Sequence, residues 1–114
     1  MTVYVVQEPL KRDGTPVFDI SPALEYGPIK VLLSHGPVSL SPQPMVANLR
    51  AELQHFSDDD YLVAIGDPTA IGIATSIAAE MNRGRVAMLK WDRNLSRYVE
   101  VRFNVYGGKN GLRE

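Results

Sequence analysis

The sequence predicts an α/β (or α+β) fold: a small mixed β-sheet with a βαβ unit and a C-terminal antiparallel hairpin, packed by two helices. Three observations predict it. Residues 61–65 (YLVAI) form a short continuous apolar run, a helix-compatible stretch follows over 69–82, and residues 85–91 return to strand character. That order reads as strand, helix, strand, whose crossover is right-handed in nearly all known sheets. Val99, Val101, Phe103 and Val105 alternate with Tyr98, Glu100, Arg102 and Asn104, the period-two pattern of a half-buried strand. Finally, Val46, Leu49, Leu53 and Phe56 recur at helical spacing, with Arg50, Glu52 and Gln54 on the other side.

In chain order, residues 2–7 are rich in β-branched and aromatic side chains and read as a strand ending before Pro9. Asp13-Gly14 centres a polar turn. Ser21 is suited to cap a short helix opened by Pro22 and closed by Gly27-Pro28. Residues 29–34 are short and bounded by Gly-Pro breaks, which favours a strand. Pro37, Pro42 and Pro44 mark residues 36–44 as a linker, and the amphipathic helix over 45–56 follows. Asp58, Asp59 and Asp60 read as a solvated acidic loop before the apolar strand. Asp67 is placed to cap the next helix, Pro68 to open it and Asn82-Arg83-Gly84 to end it. Strand 85–91, turn 92–96 and strand 97–105 complete a domain over residues 1–106, with 107–114 expected to be a flexible tail.

Composition bounds the chemistry. A 114-residue chain with 45% hydrophobic and 22% charged residues is one ordinary globular domain. It has no cysteine, which excludes disulfides, a thiol nucleophile and Cys-ligated metals. No apolar run approaches the roughly 18 residues of a membrane span. Residues 1–7 lack the basic and long apolar regions of a signal peptide, so a cytosolic protein without a membrane role is expected. His35 and His55 are twenty positions apart with no partner at ligand spacing, and no serine sits in a nucleophile elbow. Neither a metal, a cofactor nor an enzymatic activity is expected.

The net charge of −1 conceals a segregation. Residues 1–82 carry ten acidic and four basic groups, a net of −6, while residues 83–114 carry eight basic and three acidic groups, a net of +5. The two halves could neutralise one another within one fold, or present a basic surface to a partner. Arg83, Arg85, Lys90, Arg93, Arg97 and Arg102 interleave with Trp91, Tyr98, Phe103 and Tyr106. Cations that track phosphates beside rings that stack bases are what single-strand binding uses. Tyr98, Arg102 and Tyr106 share one strand face, although Glu100 does too. The candidate surface is therefore Arg85, Lys90, Trp91, Arg93, Arg97, Tyr98, Arg102 and Tyr106. The same residue types suit an acidic protein partner.

Two further candidates arise from the helix after strand 61–65. A strand running into a helix N-terminus offers donors to a phosphate, which makes Gly66 and Thr69 candidate anion-binding residues. Asp67 opposes this, and no Walker or three-glycine motif is present. The helix over 70–81 has a broad apolar arc, with Ile71, Ala74, Ala78 and Met81 in one stripe and Ala70, Ile73 and Ile77 in another. It is either buried between sheet and helix or a self-association face. Gly72 within it implies a close backbone approach.

The string DYLVAIGDPTAIGIATSIAAEMNRGRVAMLKWDR (residues 60–93), with the opening YVVQEP and the later DISPALEYG, resembles small proteins of unassigned function encoded by tailed bacteriophages and prophages. The resemblance spans most of the chain and carries no known catalytic motif. It implies a phage protein acting in the bacterial host cytosol. The resulting expectation is a non-enzymatic binding protein whose basic, aromatic hairpin engages single-stranded nucleic acid or another polyanion. The alternatives are a module that binds a host protein or itself, and a phosphate or nucleotide binder at the 66–69 turn.

Overall fold

The structure, a computed structural model, describes residues 1–107. Five strands form one mixed sheet: β1 (Val3–Gln7), β2 (Ile29–Leu33), β3 (Tyr61–Val63), β4 (Arg85–Asp92) and β5 (Arg97–Asn104). Their order is β2-β1-β3-β4-β5. The first four are mutually parallel, and β5 returns antiparallel to β4 with Met88 opposite Val101. Two α-helices, α1 (Gln43–Glu52) and α2 (Pro68–Met81), and a 3-10 helix (Ser21–Tyr26) complete the fold.

Helix placement follows from the strand order. Connections of one hand must lie on opposite faces when they run in opposite directions along the sheet. The β1-to-β2 connection runs one way and carries the 3-10 helix. The β2-to-β3 and β3-to-β4 connections run the other way and carry α1 and α2. Accordingly there are two apolar cores. One joins Val6, Leu62 and Val86 to Leu49, Leu53 and Phe56 and to Ala70, Ala74, Ile77 and Ala78 of α2. The other joins Val3, Val5, Val63, Leu89 and Tyr98 to Ala23 and the partly buried Tyr26 and Tyr61.

Several expected boundaries shift for local reasons. Ser21 is not the cap of its helix: Ile20 occupies that position without a side-chain bond, and Asp19 accepts the Ser21 N–H instead at 2.9 Å. Pro42 and Pro44, expected in a linker, open α1, where a proline lacks only an N–H that would be unpaired. α1 ends before Phe56, which is buried from a turn whose N–H donates to Leu53. The acidic loop is not simply solvated. Asp60 is buried and accepts from Thr2 N, Ser57 N and Ser57 Oγ, while Asp58 pairs with Arg85.

α2 starts as the sequence predicts. Asp67 Oδ1 accepts the Thr69 N–H at 2.8 Å, and Pro68 is the first helical residue. Its other end needs glycine. Gly84 has φ +87°, its N–H closes on Ala79, and a Cβ there would lie 2.6 Å from the Tyr106 ring. Gly72 is different: it is exposed, and a methyl group at that position would meet nothing within 4 Å, so the expected close approach is not its reason. Of the expected tail, residues 108–114 lie outside the described residues.

Candidate binding site

The site is built by a mismatch in strand length. β3 has three residues and pairs with β4 only through Leu62–Met88 and Val63–Leu89. Beyond Val63 the chain turns toward β1: the Ile65 N–H donates to Val63, and the Ile65 carbonyl accepts from Gln7 at 3.0 Å. Gly66 follows at φ +127°, with no room for a Cβ, which would sit 2.5 Å from Gln7 Cβ. β4 runs on past β3, so Lys90, Trp91 and Asp92 pair with β5 on one side and, among the described residues, with no strand on the other.

The gap is a cleft of about 780 Å³. Val63, Leu89 and the buried Tyr98 form its floor, Ala64 and Ile65 one wall, and Val17, Phe18 and Trp91 its rim. Phe18 is 54% exposed and Trp91 42%, so two large rings face solvent across an apolar floor. Trp91 is held edge-on against Tyr98, with ring centroids 5.1 Å apart. Tyr98 is fixed in turn by Tyr26, whose hydroxyl donates to the Tyr98 carbonyl at 2.9 Å. Burial pushes the Tyr98 phenol up, and the Asp19 carboxylate adds to that. Clefts of this size, apolar with few polar groups, are the usual form of a binding site.

The expected basic ribbon is not continuous. Tyr98 is buried beneath the cleft rather than exposed for stacking. Arg85 binds Asp58 at 2.9 Å and Arg97 faces Glu25 at 3.4 Å. Arg102 reaches Glu100 at 2.6 Å, donates to the Asp58 carbonyl and lies over the Tyr61 ring. The acidic front of the chain thus meets part of its basic back. Tyr106 is exposed, but it packs on Gly84 at the end of the hairpin remote from Trp91. Lys90 and Arg93 flank Trp91, are exposed, and have no ion pair among the described residues.

The 66–69 turn is occupied by the protein's own groups. Gln7 Oε1 accepts the Asp67 N–H at 2.8 Å, while Gln7 Nε2 donates to the carbonyls of Ser34 and Gly36. Asp67 Oδ2 accepts from Val38, and the Thr69 and Val38 amides hold the Asp67 carboxyl below the usual range. The Thr69 N–H is likewise taken by Asp67. The broad arc of α2 is covered by the sheet and α1, with Arg50 bridging to Glu80, and Gly72, Ser76 and Glu80 face outward. Among the described residues no three potential metal ligands come together, and no helix is long and apolar enough to cross a membrane.

A family model described as phage Pam3 gp32-like protein matches residues 1–105. The chain belongs to this phage family. The sequence resemblance to small phage proteins is thereby borne out over nearly the whole length. No curated protein and no solved structure is significantly similar to it. Within this member of the Pam3 gp32-like family, the cleft residues Val17, Phe18, Val63, Ile65 and Leu89 were not foreseen as a site from sequence. The one signal for them was an apolar pair, Val17-Phe18, inside the otherwise polar stretch 11–19.

Proposed function

We propose that this phage protein is a non-enzymatic binding module that takes an apolar side chain of an acidic protein segment into the cleft beside Trp91. The observation that carries the reading is the cleft itself, an apolar floor left open where β4 outruns β3, rimmed by exposed Phe18 and Trp91. Buried aromatic anchors dominate protein interfaces, and Lys90 and Arg93 supply the cationic rim for acidic flanks. An acidic host protein in the bacterial cytosol is the partner this chemistry suits. In capture from host lysate, Trp91→Ala and Phe18→Ala are expected each to lose the partner. Arg97→Glu, on a residue already facing Glu25, is expected to retain it. Loss with Arg97→Glu and retention with Trp91→Ala overturns the reading.

A second reading is favoured by the same three residues, Lys90, Trp91 and Arg93. A ring beside two cations that make no ion pair among the described residues can stack a base and hold its phosphates, which keeps single-stranded nucleic acid in view on a smaller footprint than the eight-residue ribbon. Trp91 is the chain's one tryptophan, so its fluorescence reads the site directly. Quenching by an oligonucleotide that weakens steeply with salt supports this reading, and an unchanged spectrum at low salt ends it.

A further inference from the structure

We propose that β5 is a self-pairing edge, and that a second copy of this chain docks on it antiparallel with Val101 opposite Val101 of the second copy. β5 is an outer strand of eight residues, and it contains no proline and no lysine, two of the devices that blunt exposed edges. Of the helix-side stripe Val99, Val101 and Phe103, Phe103 packs against the core under α1 and α2, while Val99 and Val101 lie outside that cluster and Val101 is 43% exposed. The 3-10 helix reaches only one end of the strand, through Glu25 to Arg97 and Tyr26 to Tyr98.

The register is fixed by charge. A two-fold axis perpendicular to the sheet keeps like faces together, so the axis must pass between a residue of β5 and its own copy. With the axis at Val101, Glu100 of each copy faces Arg102 of the other, and Val99 faces Phe103. Moving the axis one residue either way sets Glu100 against Glu100, or Arg102 against Arg102. Opposite charges directly across a strand pair stabilise it and like charges do the reverse. The alternation Val99-Glu100-Val101-Arg102-Phe103 is self-complementary in the first register and opposed in its neighbours. The sheet then becomes ten-stranded and continuous through the axis.

This pairing goes beyond the cleft and does not rest on it. Val101 also lines the cleft, so positions 100 and 102, outside it, carry the test. Light scattering on the full chain is expected to give a mass rising with concentration from 12.6 kDa toward twice that. Glu100→Arg alone and Arg102→Glu alone are each expected to weaken dimerisation at least about tenfold. An equimolar mixture of the two is expected to dimerise again, because both cross-axis pairs are then of opposite sign. Far-UV circular dichroism checks that each variant keeps its fold. Should Arg102→Glu unfold through loss of its Asp58 and Tyr61 contacts, Glu100→Gln and Glu100→Arg, which keep Arg102, carry the test: the second, which sets a new guanidinium against Arg102, is expected to weaken dimerisation more than the first. A monomer at all concentrations overturns the proposal, as does a dimer indifferent to both reversals, which would place self-association away from β5.

Discussion

At Gln7 one buried amide joins β1, the loop at Ser34 and Gly36, and the turn into α2. Gln7→Leu is nearly isosteric but strands the Asp67 N–H and two carbonyls. A loss of at least about 2 kcal/mol is expected by urea denaturation, since each unsatisfied buried group costs about 1–3 kcal/mol. Gly66→Ala strikes the same junction, through a positive φ and the contact with Gln7, and is expected to cost about 1–3 kcal/mol. Gly72→Ala has the opposite sign. The site is helical, exposed and unobstructed, so a gain of about 1 kcal/mol is expected in the same measurement. Acid dependence is also a residue-scale matter. Asp58 is held below the usual carboxylate range by Arg85 and then Asn82, and Asp67 by the Thr69 and Val38 amides. Both therefore bind fewer protons folded than unfolded. Their stabilisation is complete above the ordinary carboxyl pKa of about 4 and fades as pH falls through the lower folded values. Asp58→Asn is expected to flatten the acid limb of a stability-versus-pH curve.

Among the elements, those dictated by local rules were legible. The alternation in β5, the Asp67-Pro68 start of α2 and the Gly84 stop each follow from a side chain or a backbone angle acting on its immediate neighbours. Asp67→Ala is accordingly expected to cost about 1 kcal/mol of cap. The βαβ pattern put β3 and β4 in one sheet as parallel strands, as found, but the pairing of β3 with β1 was not legible, because it depends on contacts between residues far apart in the chain, such as Thr2 with Asp60. The cleft was hidden for the same reason. Its rim comes from the 11–19 loop and β4, and its existence depends on how soon β3 leaves the sheet. Charge segregation was visible in sequence, yet its use was not. Arg85 and Arg97 face carboxylates from the front half, while Lys90 and Arg93 face none among the described residues. Tyr98 shows the limit of strand periodicity: the pattern gives which residues share a face, and only the 3-10 helix decides that this face is covered.

Among the described residues, α1 and α2 cover one side of the sheet and the 3-10 helix covers the other. Stability should therefore rest on the helix-side core. Leu53→Ala, at a fully buried side chain, is expected to cost about 2–5 kcal/mol. The surface ion pairs Lys30–Glu52 and Arg50–Glu80 are exposed and worth little, so raising salt is expected to move the urea midpoint only slightly. Membership of the phage Pam3 gp32-like family places this architecture in a viral setting.

The brevity of β3 has a mechanical consequence. The β2-β1 side meets the β4-β5 hairpin through a β3–β4 ladder of two residue pairs, Leu62–Met88 and Val63–Leu89, so the sheet has a waist at its middle. Amide exchange should find that waist loosening before the long hairpin does, and Trp91 stands at its open end. Whatever settles there would clasp the two wings of the protein together.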